Sequence, residues 1–157
     1  MKLYGLLLYK KFKLIYTLYN LSDFNFLIRS TISSEIENFS KDMIREINHN
    51  QFYKINEKIH NTPLNILYYS NKYQCILLTD LTYPDKCGFH LIKKIVNTVP
   101  PQLEIDNLWK KYQHPKNFDK IEESKIIIFD SLEKIIEKTS KEMKQRNRDL
   151  NTCCTIL

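Results

Sequence analysis

The last four residues, Cys154-Thr155-Ile156-Leu157, carry the most specific chemistry in the chain. They have the form of a prenylation box: a thiol that takes an isoprenoid as a thioether, aliphatic Ile156, and a terminal residue that selects the lipid. Leu at the end favours geranylgeranyl over farnesyl. Cys153, directly before the box, can carry a second lipid, most simply a reversible palmitoyl chain. One lipid gives marginal membrane residence and two signals give stable anchoring, because each buried methylene contributes about 0.8 kcal/mol. The expected partners of this terminus are a prenyltransferase and a membrane. From 138 to 149, five basic residues (Lys138, Lys141, Lys144, Arg146, Arg148) face two acidic ones, Glu142 and Asp149. Such a run beside a lipid suits an anionic leaflet.

Other reactive side chains give weaker patterns. Cys75 and Cys87 lack zinc-ligand spacing, so no metal and no cofactor is expected, and both read as small buried apolar residues. With two more Cys in a lipidation box, the expected compartment is reducing and cytosolic. His49, His60, His90 and His114 are dispersed. Cys87 and His90 lie three apart on one helix, a spacing open to a nucleophile and its base; a packed core or surface pair is the plainer reading. Glu122 and Glu123 suit the start of a helix. The two Gly cannot form a phosphate loop, which excludes a prenylated small GTPase. A net charge of +6 permits nucleic acid, yet most Tyr fall within strand patterns and do not interleave with basic residues, so no nucleic acid is expected. The expectation is a non-enzyme.

The elements that must position these groups follow from periodicity. Residues 3–9 are apolar at nearly every position, as in a strand buried on both faces, and 14–21 resume after a polar break to close a hairpin. Ile32, Ile36, Phe39, Met43 and Ile47 recur at helical steps. Thr31, Ser33 and Ser34 supply N-cap candidates, and Ser34 with Glu37 fits a capping box. Residues 52–60 make a weak strand, while 64–69 and 73–79 form a second hairpin. Tyr83-Pro84-Asp85 opens a helix with Phe89, Ile92, Val96 and Val99 on one face, stopped by Pro100-Pro101. Residues 103–112 form a third helix carrying Trp109. This order predicts an α+β fold, an antiparallel five-stranded sheet flanked by helices. No stretch reaches the roughly 20 apolar residues of a membrane span. From 121 to about 147 the chain lacks Gly and Pro and predicts one long helix. Its seam is Ile121, Ser124, Ile128, Ser131, Ile135 and Lys138. A second stripe of Phe129, Leu132, Ile136 and Met143 predicts burial against the domain.

Several segments together resemble the prenylated longin-domain R-SNAREs, the lipid-anchored vesicle-fusion proteins that end in two Cys. They are Met1-Lys2-Leu3-Tyr4, the run from Phe24 to Ile32, Asp80-Leu81-Thr82-Tyr83-Pro84-Asp85, Tyr112-Gln113-His114-Pro115, Glu123-Ser124-Lys125-Ile126-Ile127, and the terminus from Cys153. The resemblance spans the chain. It implies a longin (profilin-like) domain over 1–112, a SNARE-like coiled-coil segment over 113–150 and a lipidation tail over 151–157. It further implies Q-SNARE helices as partners, and vesicle-mediated ER–Golgi transport and fusion on the cytosolic face of Golgi, vesicle or endosomal membranes. It also implies an apolar groove, assigned to Phe24, Phe26, Ile32, Ile36, Phe39 and Met43, that shelters the lipid while the segment folds back. Lys138 stands where the family has the Arg of a buried polar layer, and Lys lacks that planar fork. Past Lys138 the seam falls on Glu142, Gln145, Asp149 and Thr152, so the membrane-proximal half of the motif is missing. The alternative is a non-fusogenic prenylated longin protein that regulates or competes with SNARE assembly.

Overall fold

The computed structural model describes residues 1–46, 50–115 and 126–135, together with Glu137, Lys138, Lys141 and Gln145. Strand β1 (Leu3–Lys10) is buried along seven of its eight residues, which suits the interior of a sheet. It pairs antiparallel on one side with β2 (Lys13–Tyr19) and on the other with β5 (Gln74–Thr79). The tight turn between β1 and β2 puts Lys11 and Phe12 at φ 49° and 66°. The hairpin of β3 (Phe52–Ile59) and β4 (Thr62–Ser70) repeats this at His60 and Asn61, φ 47° and 62°. Two-residue hairpins of this hand match strand twist, although Gly is their usual occupant. At the β3 end of that hairpin, Glu57 is half-buried and Lys58 exposed.

Helix α1 (Arg29–Glu46) covers one face of the sheet. Ile32, Ile36, Met43 and Ile44 meet Leu7, Ile55, Ile66 and Leu78 there. Ile47 lies outside the described residues. The expected caps are corrected: Thr31, Ser33, Ser34 and Glu37 sit inside α1, whose start is drawn back to Arg29 by a 3-10 turn over Phe26–Ile28. Asn25 caps that turn, its Oδ1 accepting from Leu27 N–H at 3.0 Å. Helices α2 (Asp85–Thr98) and α3 (Gln102–Tyr112) cover the other face. Leu91, Ile92, Ile95 and Trp109 pack there on Leu3, Leu6, Leu67 and Leu77. Gly88 lets α2 approach closely, since a Cβ on it would lie 2.3 Å from Leu67 Cδ1.

The tail changes the sheet. Ile126–Phe129 forms a strand, β6, parallel to β3 in the register Phe52↔Ile126 to Ile55↔Phe129. The described residues thus build one six-stranded mixed sheet in the order β2-β1-β5-β4-β3-β6, in place of the expected five antiparallel strands. The physical reason is local. Three consecutive Ile and a Phe are strong strand formers, and β3 would otherwise present a row of unpaired backbone groups. Residues 132–135 then turn helical. The fold class is α+β, with the helices on both faces of the sheet.

Candidate functional site

Along the tail edge of β3 lie Ile128, Ser131, Ile135 and Lys138 of the sequence-predicted site residues, with Phe39 close by. Glu57, half-buried on β3, accepts through Oε2 from the Leu132 backbone N–H at 3.0 Å. A carboxylate there satisfies one orphan donor of the tail helix and complements its dipole. Ser131 Oγ accepts from Lys134 N–H at 3.4 Å, and Lys134 Nζ reaches Asp130 at 2.9 Å. Below the turn, Ile127, Phe129 and Leu132 pack on the α1-face core, and Ile135 joins it at 2% exposure. Burying a side chain such as Ile135 contributes about 1.5–3 kcal/mol.

Within this fold the described residues of the expected seam lie apart. Ile128 lies on a strand and is 62% exposed, Ser131 is a capping residue, and Ile135 is buried in the domain. Lys138 is exposed, its Nζ 5.7 Å from the Phe129 ring centroid. These four do not share one helical face, because the strand advances the chain twice as far per residue as a helix. Ile121 and Ser124 lie outside the described residues, as do Cys153, Cys154, Ile136 and Met143. Phe129 and Leu132 of the second stripe do meet the domain.

Beside the tail turn lies an open cleft of about 640 Å³ between α1, the end of β3 and Leu132. Phe39, Ile59 and Leu132 supply its apolar part, and Glu35, Asp42, Glu57 and Lys58 its charged rim. His60 Nε2 stands 3.2 Å from Glu35 Oε2 at the hairpin corner. Of the six residues assigned to a groove, only Phe39 lines this cleft. Ile32, Ile36 and Met43 are fully buried against the sheet, because they occupy the central stripe of α1. Phe24 is buried edge-on to Tyr4 with centroids 5.7 Å apart, and Phe26 is 77% exposed in the 3-10 turn. Sequence reading missed Glu57 and the rim acids Glu35 and Asp42. Glu57 carries no signal of its own, since an acidic residue at an outward strand position is ordinary.

The Cys87 and His90 pair sits elsewhere, between α2 and α3. His90 Nδ1 shares a hydrogen bond with the Tyr112 hydroxyl, and the Tyr83 hydroxyl donates to the Tyr112 carbonyl at 2.7 Å. Burial pushes the Cys87 thiol up to about 12, the opposite of an activated nucleophile. Burial, then Lys94, Lys93 and Lys111, hold His90 below its ordinary value. The cluster ties the two helices together. Cys75 is fully buried and its thiol is likewise pushed up to about 12 by burial.

No protein-family model and no curated protein matches this chain. Among the described residues, no group of three or more His, Cys, Asp or Glu side chains could hold a metal ion. No helix among them is long and apolar enough to cross a membrane.

Proposed function

We propose that this chain is a lipid-anchored protein of the R-SNARE type, in which a longin-like domain retains its own SNARE-like segment on the β3 edge. The observation that carries the reading is the seating of Ile126–Phe129 beside β3 with Ile135 in the α1-face core. The strand set β2-β1-β5-β4-β3, with α1 on one face and α2 and α3 on the other, agrees with a longin arrangement. The sixth strand is then the retained segment. Cys154 carries the isoprenoid and Cys153 the second lipid, and the cleft at Phe39, Ile59 and Leu132 is the apolar shelter nearest the tail. Q-SNARE helices are the partners, and the setting is vesicle transport and fusion at cytosolic membrane faces, between ER and Golgi or on endosomal membranes.

A second reading, a regulator that withholds or competes for SNARE assembly without driving fusion, is favoured by one observation. Ile128 and Ile135 serve the strand and the domain core, so pairing with partner helices requires β6 to leave the sheet and rewind. Two heptads of seam then remain before the charged positions beyond Lys138, fewer than the roughly three or four that sustained pairing needs. Mixing the full chain with Q-SNARE helices and measuring melting temperature and liposome fusion separates the two. A weak complex without fusion supports the regulator; a heat-resistant complex with efficient fusion supports the fusogen. The anchor is tested by Cys154→Ser in cells. The variant is expected in the soluble fraction after a high-salt wash, whereas Cys153→Ser retains weak, reversible binding. A Cys154→Ser protein that stays on washed membranes refutes the lipid anchor.

A further inference from the structure

On the sheet face opposite α1, the outer surfaces of α2 and α3 gather cations. After Asp85, whose carboxylate meets Lys54 Nζ at 2.8 Å, α2 carries Lys86, His90, Lys93 and Lys94 and no further acid. The last turn of α3 adds Lys110 and Lys111. Its acids, Glu104 and Asp106, lie in its first half, and Asp106 accepts from the Tyr16 hydroxyl. The helix pair brings the two basic sets together at Tyr112. Lys94 Nζ stands 6.0 Å from that ring centroid, while Lys93 Nζ stands 5.1 Å from the Phe52 centroid. Lys94, Lys93 and Lys111 all act on the His90 ring and help hold it neutral, so their fields overlap at one place.

The rings here support lysine stems and are not open platforms. Tyr112 and Phe89 are buried and Phe52 is half-buried. A strand of nucleic acid would ask for exposed rings to stack its bases. Lysine heads on flexible stems suit a plane of diffuse negative charge. Leu103, 73% exposed at the head of α3, adds an apolar residue to the same helix. We propose that the outer face of α2 and α3, through Lys93, Lys94 and Lys111, docks the domain onto an anionic lipid leaflet. This contact belongs to the domain and stands whether or not Cys154 is lipidated.

The test uses the full chain made without lipid and sedimented with phosphatidylcholine vesicles, alone or with about one-third phosphatidylserine. The parent chain is expected to bind the anionic vesicles and to be released by high salt. Each lysine at the leaflet is worth about fivefold in partitioning, so K93Q/K94Q/K111Q should lose about a hundredfold. K11Q/K41Q/K72Q removes the same charge elsewhere and should lose less than about fivefold. K93R/K94R/K111R should bind as the parent does. Thermal melting checks the fold of each variant, and if the first triple unfolds, the exposed pair K94Q/K111Q decides, with an expected loss of about twenty-five-fold. Equal losses in the two glutamine triples would overturn the proposal. So would a parent chain that ignores phosphatidylserine, or one that prefers single-stranded RNA to the vesicles.

Discussion

Glu57→Ala is the sharpest probe of the tail contact, because it removes both the acceptor and its charge and leaves the β3 backbone intact. The carboxylate accepts from Leu132 N–H at 3.0 Å. Losing a capping acceptor costs about 1 kcal/mol, and losing a negative charge at a helix N-terminus about 0.5 kcal/mol more. Ser131 continues to accept from Lys134 N–H, so the tail turn keeps its own cap and the loss falls on docking. A change of about 1.5 kcal/mol is roughly tenfold in the ratio of docked to undocked tail. Native-state hydrogen exchange reads this directly, since amides that open locally report that ratio. Protection over 126–135 should drop about tenfold, while amides of β1 and β5 stay unchanged. Unchanged exchange over 126–135 would mean that the Glu57 bond contributes nothing to docking. An equal drop across the whole sheet would mean that the tail is an inseparable part of the cooperative fold.

Two further outcomes follow from the α2 face. Folding lowers the His90 pKa, through burial first and then Lys94, Lys93 and Lys111, so the unfolded chain binds the proton more readily. Stability is therefore full above the ordinary value of 6.5 and is lost as pH falls through it toward the lowered folded value. His90→Gln should flatten the melting temperature against pH in that window, and an unchanged slope would refute the assignment. Gly88→Ala sets a Cβ 2.3 Å from Leu67 Cδ1 and 3.3 Å from Leu77 Cδ2. Overpacking costs about 1–3 kcal/mol against about 1 kcal/mol regained from helix propensity. The net loss of about 1 kcal/mol should lower the melting temperature by roughly 2–4 °C; a rise would show that Leu67 repacks freely.

Much of the domain was legible because its signals are local. Leu3 to Tyr9 reads as a strand buried on both faces, and it is the second strand of the sheet, flanked on both sides. The stripe Ile32, Ile36, Met43 reads as the inner face of a helix and is buried. The tail was not legible for a physical reason. Ile126-Ile127-Ile128-Phe129 satisfies a strand by propensity and a coiled-coil seam by spacing, and only the free edge of β3 decides between them. A period measured within one segment carries no information about an unpaired neighbour contributed seventy residues earlier. The start of α1 was misread for a similar reason, since the N-cap rule found a good box at Ser34 and Glu37 while the 3-10 turn had already begun the helix. The groove residues assigned by resemblance divide likewise: the stripe positions serve the core, and only Phe39, at its margin, reaches the cleft.

Docking of β6 also decides how safely this protein can exist alone. The register covers β3 only from Phe52 to Ile55, its more apolar half, and stops before Asn56, Glu57 and Lys58. The uncovered half is already guarded, because charged side chains at a sheet border discourage another chain from adding a strand. The covered half carries a single charge, Lys54, which Asp85 holds at 2.8 Å. Undocking therefore bares a border with Phe52, Tyr53 and Ile55 along it, and it frees a segment of three Ile and a Phe that readily forms strands itself. Two released copies would offer each other both halves of an intermolecular sheet. If the tail is released for a partner as proposed, that released state is also the one most exposed to self-association, so release must stay rare or be followed quickly by capture.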